Sequence, residues 1–105
     1  MYNNKWTEFE VHAMCYGILR KHLYPGYLVR GEHRFPCGNI PDISVWKANK
    51  DEEPTLKFTI EVKKSALSRS EMQGKRYEDS LGVPCVYIRG KEDAYKIISK
   101  VSHLL

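Results

Sequence analysis

Phe58-Thr59-Ile60-Glu61-Val62-Lys63-Lys64 alternates apolar and polar side chains and ends in charge. Successive side chains of a strand point to opposite faces. Phe58, Ile60 and Val62 therefore share one face, while Glu61 and Lys63 share the other. The stretch reads as the end of a strand running from Leu56 to Val62. Upstream, Ile40-Pro41-Asp42-Ile43 opens a second strand with a carboxylate, and Ile43 and Val45 continue it. If the two strands pair, Asp42 joins Glu61 and Lys63, so that two carboxylates and an ammonium converge on one patch.

The rest of the chain builds outward from these strands. The polar, Pro-terminated stretch Lys47-Ala48-Asn49-Lys50-Asp51-Glu52-Glu53-Pro54 reads as the loop between them, mobile at its tip. Tyr27 begins an earlier strand expected to run to Phe35, followed by a turn at Pro36-Cys37-Gly38-Asn39. Before it, Thr7-Glu8-Phe9-Glu10 matches a capping box. Val11, Met14, Cys15, Ile18, Leu19 and Leu23 then recur at helical spacing until Tyr24-Pro25-Gly26 stops the helix. Downstream, Ser70 to Leu81 reads as a helix ending at Gly82, and Val83 to Ile88 as a short buried strand. Glu92 to Leu104 closes the chain as an amphipathic helix carrying Ala94, Ile97, Ile98 and Val101. The order α-β-β-β-α-β-α predicts an α/β fold, a small mixed sheet flanked by helices. The whole of residues 1–105 is expected to be a single domain.

Composition narrows the classes further. Apolar residues are 42% and charged residues 29%, which suits a packed globular domain rather than a disordered chain. No apolar run approaches the ~20 residues of a membrane helix. The start, Met-Tyr-Asn-Asn-Lys, has no apolar core of a secretory signal. Cys15, Cys37 and Cys85 are scattered, without a CxxC pair, and read as reduced thiols. A cytoplasmic location without membrane association is the expectation. The net charge of +4 is compatible with a polyanionic partner. No Gly-rich phosphate loop is present, so no nucleotide cofactor is expected. His33 and Cys37 lack the two further ligands of a zinc site.

Two close carboxylates repel, and each is costly to keep ionised without a counter-charge. A hard divalent cation relieves that cost, and Mg²⁺ prefers one or two carboxylates together with waters and phosphate oxygens. A lysine beside it can orient a water or neutralise charge developing on a phosphate. These parts hydrolyse phosphodiesters. The plainer alternative is a salt-bridge ladder on a half-exposed strand.

Pro41-Asp42 followed by Glu61-Val62-Lys63 resembles the signature of the PD-(D/E)XK nuclease superfamily, and the likeness extends from Thr7 to about Ile98. It is most like the stand-alone VRR-Nuc domains and the archaeal-type Holliday junction resolvases. The resemblance implies a restriction-endonuclease-like α-β-β-β-α-β core and a metal-dependent endonuclease acting on DNA in repair or recombination. The implied metal ligands are Asp42, Glu61 and the main-chain carbonyl of Val62, with Lys63 as the catalytic lysine and Mg²⁺ as the ion, for which Mn²⁺ substitutes. The family's upstream glutamate has two candidates. Glu8 is preferred because it leads the Val11, Cys15, Ile18 stripe, whereas Glu10 belongs to the capping box. Gln73 and Tyr77 lie four apart on the second helix and resemble a Gln-x-x-x-Tyr pair that borders the site in some branches. The acidic stretch Asp51 to Glu53 departs from the tight hairpin common in such domains.

Arg30 and Arg34 fall at even spacing on the first strand, and Lys64, Arg69, Lys75 and Arg76 surround the proposed site; all six are expected phosphate contacts. The resemblance to resolvases implies a homodimer. The small size favours structure-directed cleavage of branched, flapped or junction DNA. The alternatives are a non-catalytic DNA-binding or assembly module on the same fold, and a sequence-specific restriction or homing-type nuclease.

Overall fold

The computed structural model describes residues 6–63 and 78–105. Helix α1 spans Glu8–Leu23. Thr7 caps it, its hydroxyl accepting from the Glu10 N–H at 3.1 Å. Acidic Glu8 and Glu10 occupy the first turn, and Arg20, Lys21 and His22 the last, each matching the helix dipole. Val11, Cys15 and Leu19, four apart, are fully buried and form the helix's inner stripe.

Four strands follow: β1 Tyr27–Gly31, β2 Ile43–Lys47, β3 Thr55–Val62 and β4 Cys85–Ile88. They form one sheet in the order β1-β2-β3-β4, with β1–β2 and β2–β3 antiparallel and β3–β4 parallel. The architecture is α/β, a small four-stranded mixed sheet flanked by helices. Ile43, Val45, Phe58, Ile60, Val62 and Ile88 share one sheet face and are buried. The α1 stripe packs on that face with Ala94, Ile97 and Val101 from the C-terminal segment. The opposite face carries Ser44, Thr59 and Glu61, polar yet at most 1% exposed. Burying polar groups is unfavourable unless they are hydrogen-bonded or serve a purpose.

The structure corrects three expectations. The first strand ends at Gly31 instead of Phe35, because Glu32 takes a left-handed backbone conformation (φ 48°) that breaks the extended path. Arg34 consequently sits exposed in a loop and not on the strand beside Arg30. That loop closes where the Glu32 N–H donates to the Asp42 carbonyl at 2.9 Å. The closing helix is likewise not continuous. It divides into α2 Lys91–Tyr95 and α3 Ile97–Val101, followed by a 3₁₀ turn at Ser102–Leu104. At the break, the Lys96 N–H is shared between the Glu92 and Asp93 carbonyls. The tightened turn lets Ala94 and Ile97, three residues apart, both face the core. Finally, the last strand begins at Cys85 and not at Val83.

The polar stretch before Pro54 is a hairpin connection. Asn49 Nδ2 donates to the Glu53 carbonyl at 2.8 Å and to Thr55 Oγ1 at 2.9 Å, tying the tip to the start of β3. Residues 78–81 are helical and stop at Gly82, as expected. Gly82 adopts φ 71° while its N–H caps the Glu78 carbonyl at 2.9 Å, a conformation in which a side chain would be strained. Among the described residues, no helix is long and apolar enough to cross a membrane.

Candidate active site

The antiparallel pairing of Ile43 with Ile60 decides the site's geometry. One residue further along each strand, Asp42 meets Glu61. Glu61 is 1% exposed, and its Oε2 accepts from the Asp42 N–H at 3.0 Å. In return, Asp42 Oδ2 accepts from the Val62 N–H at 2.8 Å. Each carboxylate thus uses one oxygen to grip the other's strand.

Burial pushes the Glu61 carboxyl up to about 8, and the negative charge of Asp42 adds to the shift. Lys63 opposes it: the ammonium just beyond β3 favours the ionised form. The Lys63 N–H donates to the Ile88 carbonyl at 3.0 Å, anchoring this residue to the end of β4. Ionising Glu61 here is costly, because its carboxyl is buried beside a second negative charge.

Asp42 and Val62 border a hollow of about 210 Å³ whose other walls are Glu8, Phe9, His12 and Glu32. Helix α1 brings Glu8 there because Glu8 heads the side of the helix that turns inward at Val11. Glu10 points elsewhere, its carboxylate 3.6 Å from Lys91 Nζ. The geometry thus separates the two glutamates in the way their helical phase predicts. Asp42, Glu61, Lys63, Val62 and Glu8 all gather at this end of the sheet. Arg30 lies on the same sheet face, paired with Ser44 in register, but its guanidinium stacks 4.8 Å from the Trp46 ring centre. Trp46 in turn donates from Nε1 to Ser44 Oγ at 2.8 Å and lies parallel to Phe35 at 5.5 Å. Arg34 is not drawn to the site by its strand, as noted above. Lys64, Arg69, Gln73, Lys75, Arg76 and Tyr77 lie outside the described residues.

Glu32, His12 and Phe9 were not singled out as site residues by sequence pattern. Glu32 reads as a mid-strand residue until its backbone is seen to reverse, and His12 and Phe9 fall beside the apolar stripe instead of in it. No local motif marks any of them.

Among the described residues, no three His, Cys, Asp or Glu side chains stand together in a way that could hold a metal ion. Two adjacent carboxylates suit a hydrated hard cation, which completes its shell with water and phosphate oxygens; Asp42 and Glu61 would be the residues to hold it.

Comparison of the chain with protein-family models, with curated proteins and with solved structures finds no match.

Proposed function

We propose that the protein is a Mg²⁺-dependent endonuclease that hydrolyses phosphodiester bonds in branched or flapped DNA. The fold reading that goes with it is the restriction-endonuclease-like core, with β1, β2 and β3 as its antiparallel strands and β4 as the parallel addition. The observation that carries the proposal is the reciprocal pairing of Asp42 and the buried Glu61 through each other's strand amides, beside Lys63.

In this reading, Asp42 and Glu61 would hold the ion, with the Val62 carbonyl alongside. Bound there, the ion supplies Lewis-acid polarisation of the scissile phosphate and a water of lowered pKa. Lys63 holds its ammonium near the attacked phosphate and offsets the charge that builds on it. Glu8 accepts hydrogen bonds from waters across the hollow. The backbone amides of Asp42 and Val62 keep both carboxylates from turning, so little reorganisation is needed when substrate arrives.

The test is incubation with linear, flapped and four-way DNA in Mg²⁺ and in EDTA. Cleavage in Mg²⁺ alone that disappears in Asp42→Asn supports the proposal. DNA binding without cleavage under every metal condition overturns it in favour of a binding module.

A further inference from the structure

One side of α1 is lined, from its start to its end, by Phe9, His12, Tyr16, Arg20 and the capping Tyr24. These positions recur every three or four residues and so form one row. The row lies along β1, the edge strand of the sheet. Between row and strand runs a chain of hollows. The first is the one bordered by Asp42 and Glu8. The second, about 370 Å³, is walled by Phe9, His12, Tyr16 and Glu32 and shares three of its residues with the first. A third, about 260 Å³, lies between Arg20, Tyr24 and Arg30. Tyr16 of the second and Arg20 of the third are neighbours in the row, the Tyr16 hydroxyl accepting from Arg20 Nη1 at 3.5 Å.

The chemistry changes along this groove. It starts at carboxylates that suit a cation, passes aromatic rings, and ends at the Arg20 guanidinium. Phe9 is 80% exposed and Tyr24 61%, so large apolar rings stand in water without a core to fill. The Arg20 guanidinium lies 6.0 Å from the Tyr24 ring centre. Rings interleaved with arginines along a groove suit single-stranded nucleic acid, in which every base has a free face to stack and every phosphate a charge to pair. A duplex hides those faces, and the second hollow has the size of a site for one small planar group.

Resting on the nuclease reading above, we infer that the α1–β1 groove is a track for the single-stranded DNA tail that leaves the cleavage site. Phe9 and Tyr16 stack bases next to the cleaved phosphate, and Arg20 pairs with a phosphate further along. Glu32 borders the base site and accepts hydrogen bonds from base N–H groups. The track makes an unpaired tail, and not a fully paired junction, the preferred substrate.

The test is fluorescence anisotropy with a labelled oligothymidylate of about 20 nucleotides and with a blunt duplex of equal length, in Ca²⁺ to support binding. The single strand binds about tenfold more tightly than the duplex in the expected result. Phe9→Ala weakens single-strand binding about fivefold or more, with duplex binding unchanged. Arg20→Gln does the same and flattens the salt dependence by about one phosphate contact. Both side chains are exposed, so the variants fold, and a melting curve verifies it. Equal affinity for the two DNAs, or single-strand binding indifferent to both variants, overturns the track. Cleavage in Mg²⁺ is read separately. A chain that cuts but ignores Phe9 and Arg20 refutes the track alone. A chain that never cuts but binds single strands through Phe9 refutes the nuclease reading and leaves the binding track standing.

Discussion

Asp42 and Glu61 hold each other's strands: Glu61 Oε2 accepts from the Asp42 N–H at 3.0 Å, and Asp42 Oδ2 accepts from the Val62 N–H at 2.8 Å. The two carboxylates thus tie the end of β2 to the end of β3. Structure and proposed chemistry depend on the same four groups.

The first consequence concerns pH and stability. The Glu61 carboxyl stands near 8 in the folded chain against an ordinary value of 4.5. Between those values the folded state binds more protons than the unfolded one, so stability falls as pH rises. The contribution is complete below the ordinary value and lost through about 8. Thermal melts of the metal-free protein should show this decline. Glu61→Gln keeps an oxygen to accept from Asp42, carries no charge, and removes the slope. A higher melting temperature for the variant than for the wild type at alkaline pH, and a near match at mildly acidic pH, is the expected pattern.

Metal binding should have the opposite pH dependence. The ion competes with the Glu61 proton, so Mg²⁺ or Mn²⁺ affinity rises with pH until Glu61 is ionised. Isothermal titration at a series of pH values measures this directly, with proton uptake by the buffer as a second readout. Affinity that falls as pH rises would refute the Asp42–Glu61 site.

Conservative changes should separate chemistry from folding. Asp42→Asn and Glu61→Gln retain hydrogen-bond acceptors for the Val62 and Asp42 amides, so both variants remain folded and bind DNA while cleavage is lost. Asp42→Ala also strands the buried Val62 N–H and should cost about 1–3 kcal/mol of stability. Denaturant titration alongside a cleavage assay distinguishes the two effects.

The two glutamates of the first helical turn should differ. Glu8 faces the hollow beside Asp42. Glu10 makes an exposed ion pair with Lys91 of the type worth about 0–1 kcal/mol. Glu8→Gln should slow cleavage about tenfold or more, and Glu10→Gln should leave it nearly unchanged. Equal losses would show that the first turn acts only as a helix cap.

The three thiols should react in a fixed order. Cys37 is exposed in the loop after Phe35, whereas burial pushes Cys15 and Cys85 each up to about 12. A disulfide reagent should modify Cys37 at once, Cys85 slowly, and Cys15 only on unfolding. Mass spectrometry of timed samples reads the order, and early modification of Cys15 would contradict the packing of α1 on the sheet.

Much of the framework follows from local pattern. The capping box at Thr7, the stripe Val11, Cys15 and Leu19, and the alternation in Phe58 to Val62 each state their structure within a few residues, because backbone geometry sets the periods of three to four and two. Strand parity alone places Glu61 opposite the core, and helical phase alone separates Glu8 from Glu10. The tertiary structure supplied what no short window contains. The Ile43–Ile60 register, which brings Asp42 to Glu61, depends on which strands pair. The end of β1 at Gly31 depends on the left-handed turn at Glu32, closed by a hydrogen bond to Asp42, ten residues away in sequence. The break at Lys96 arises because Ala94 and Ile97 must both reach the core. The Glu61 proton is likewise a tertiary property: a carboxyl at the end of a strand is unremarkable in sequence, and only burial beside a second negative charge makes its ionisation costly.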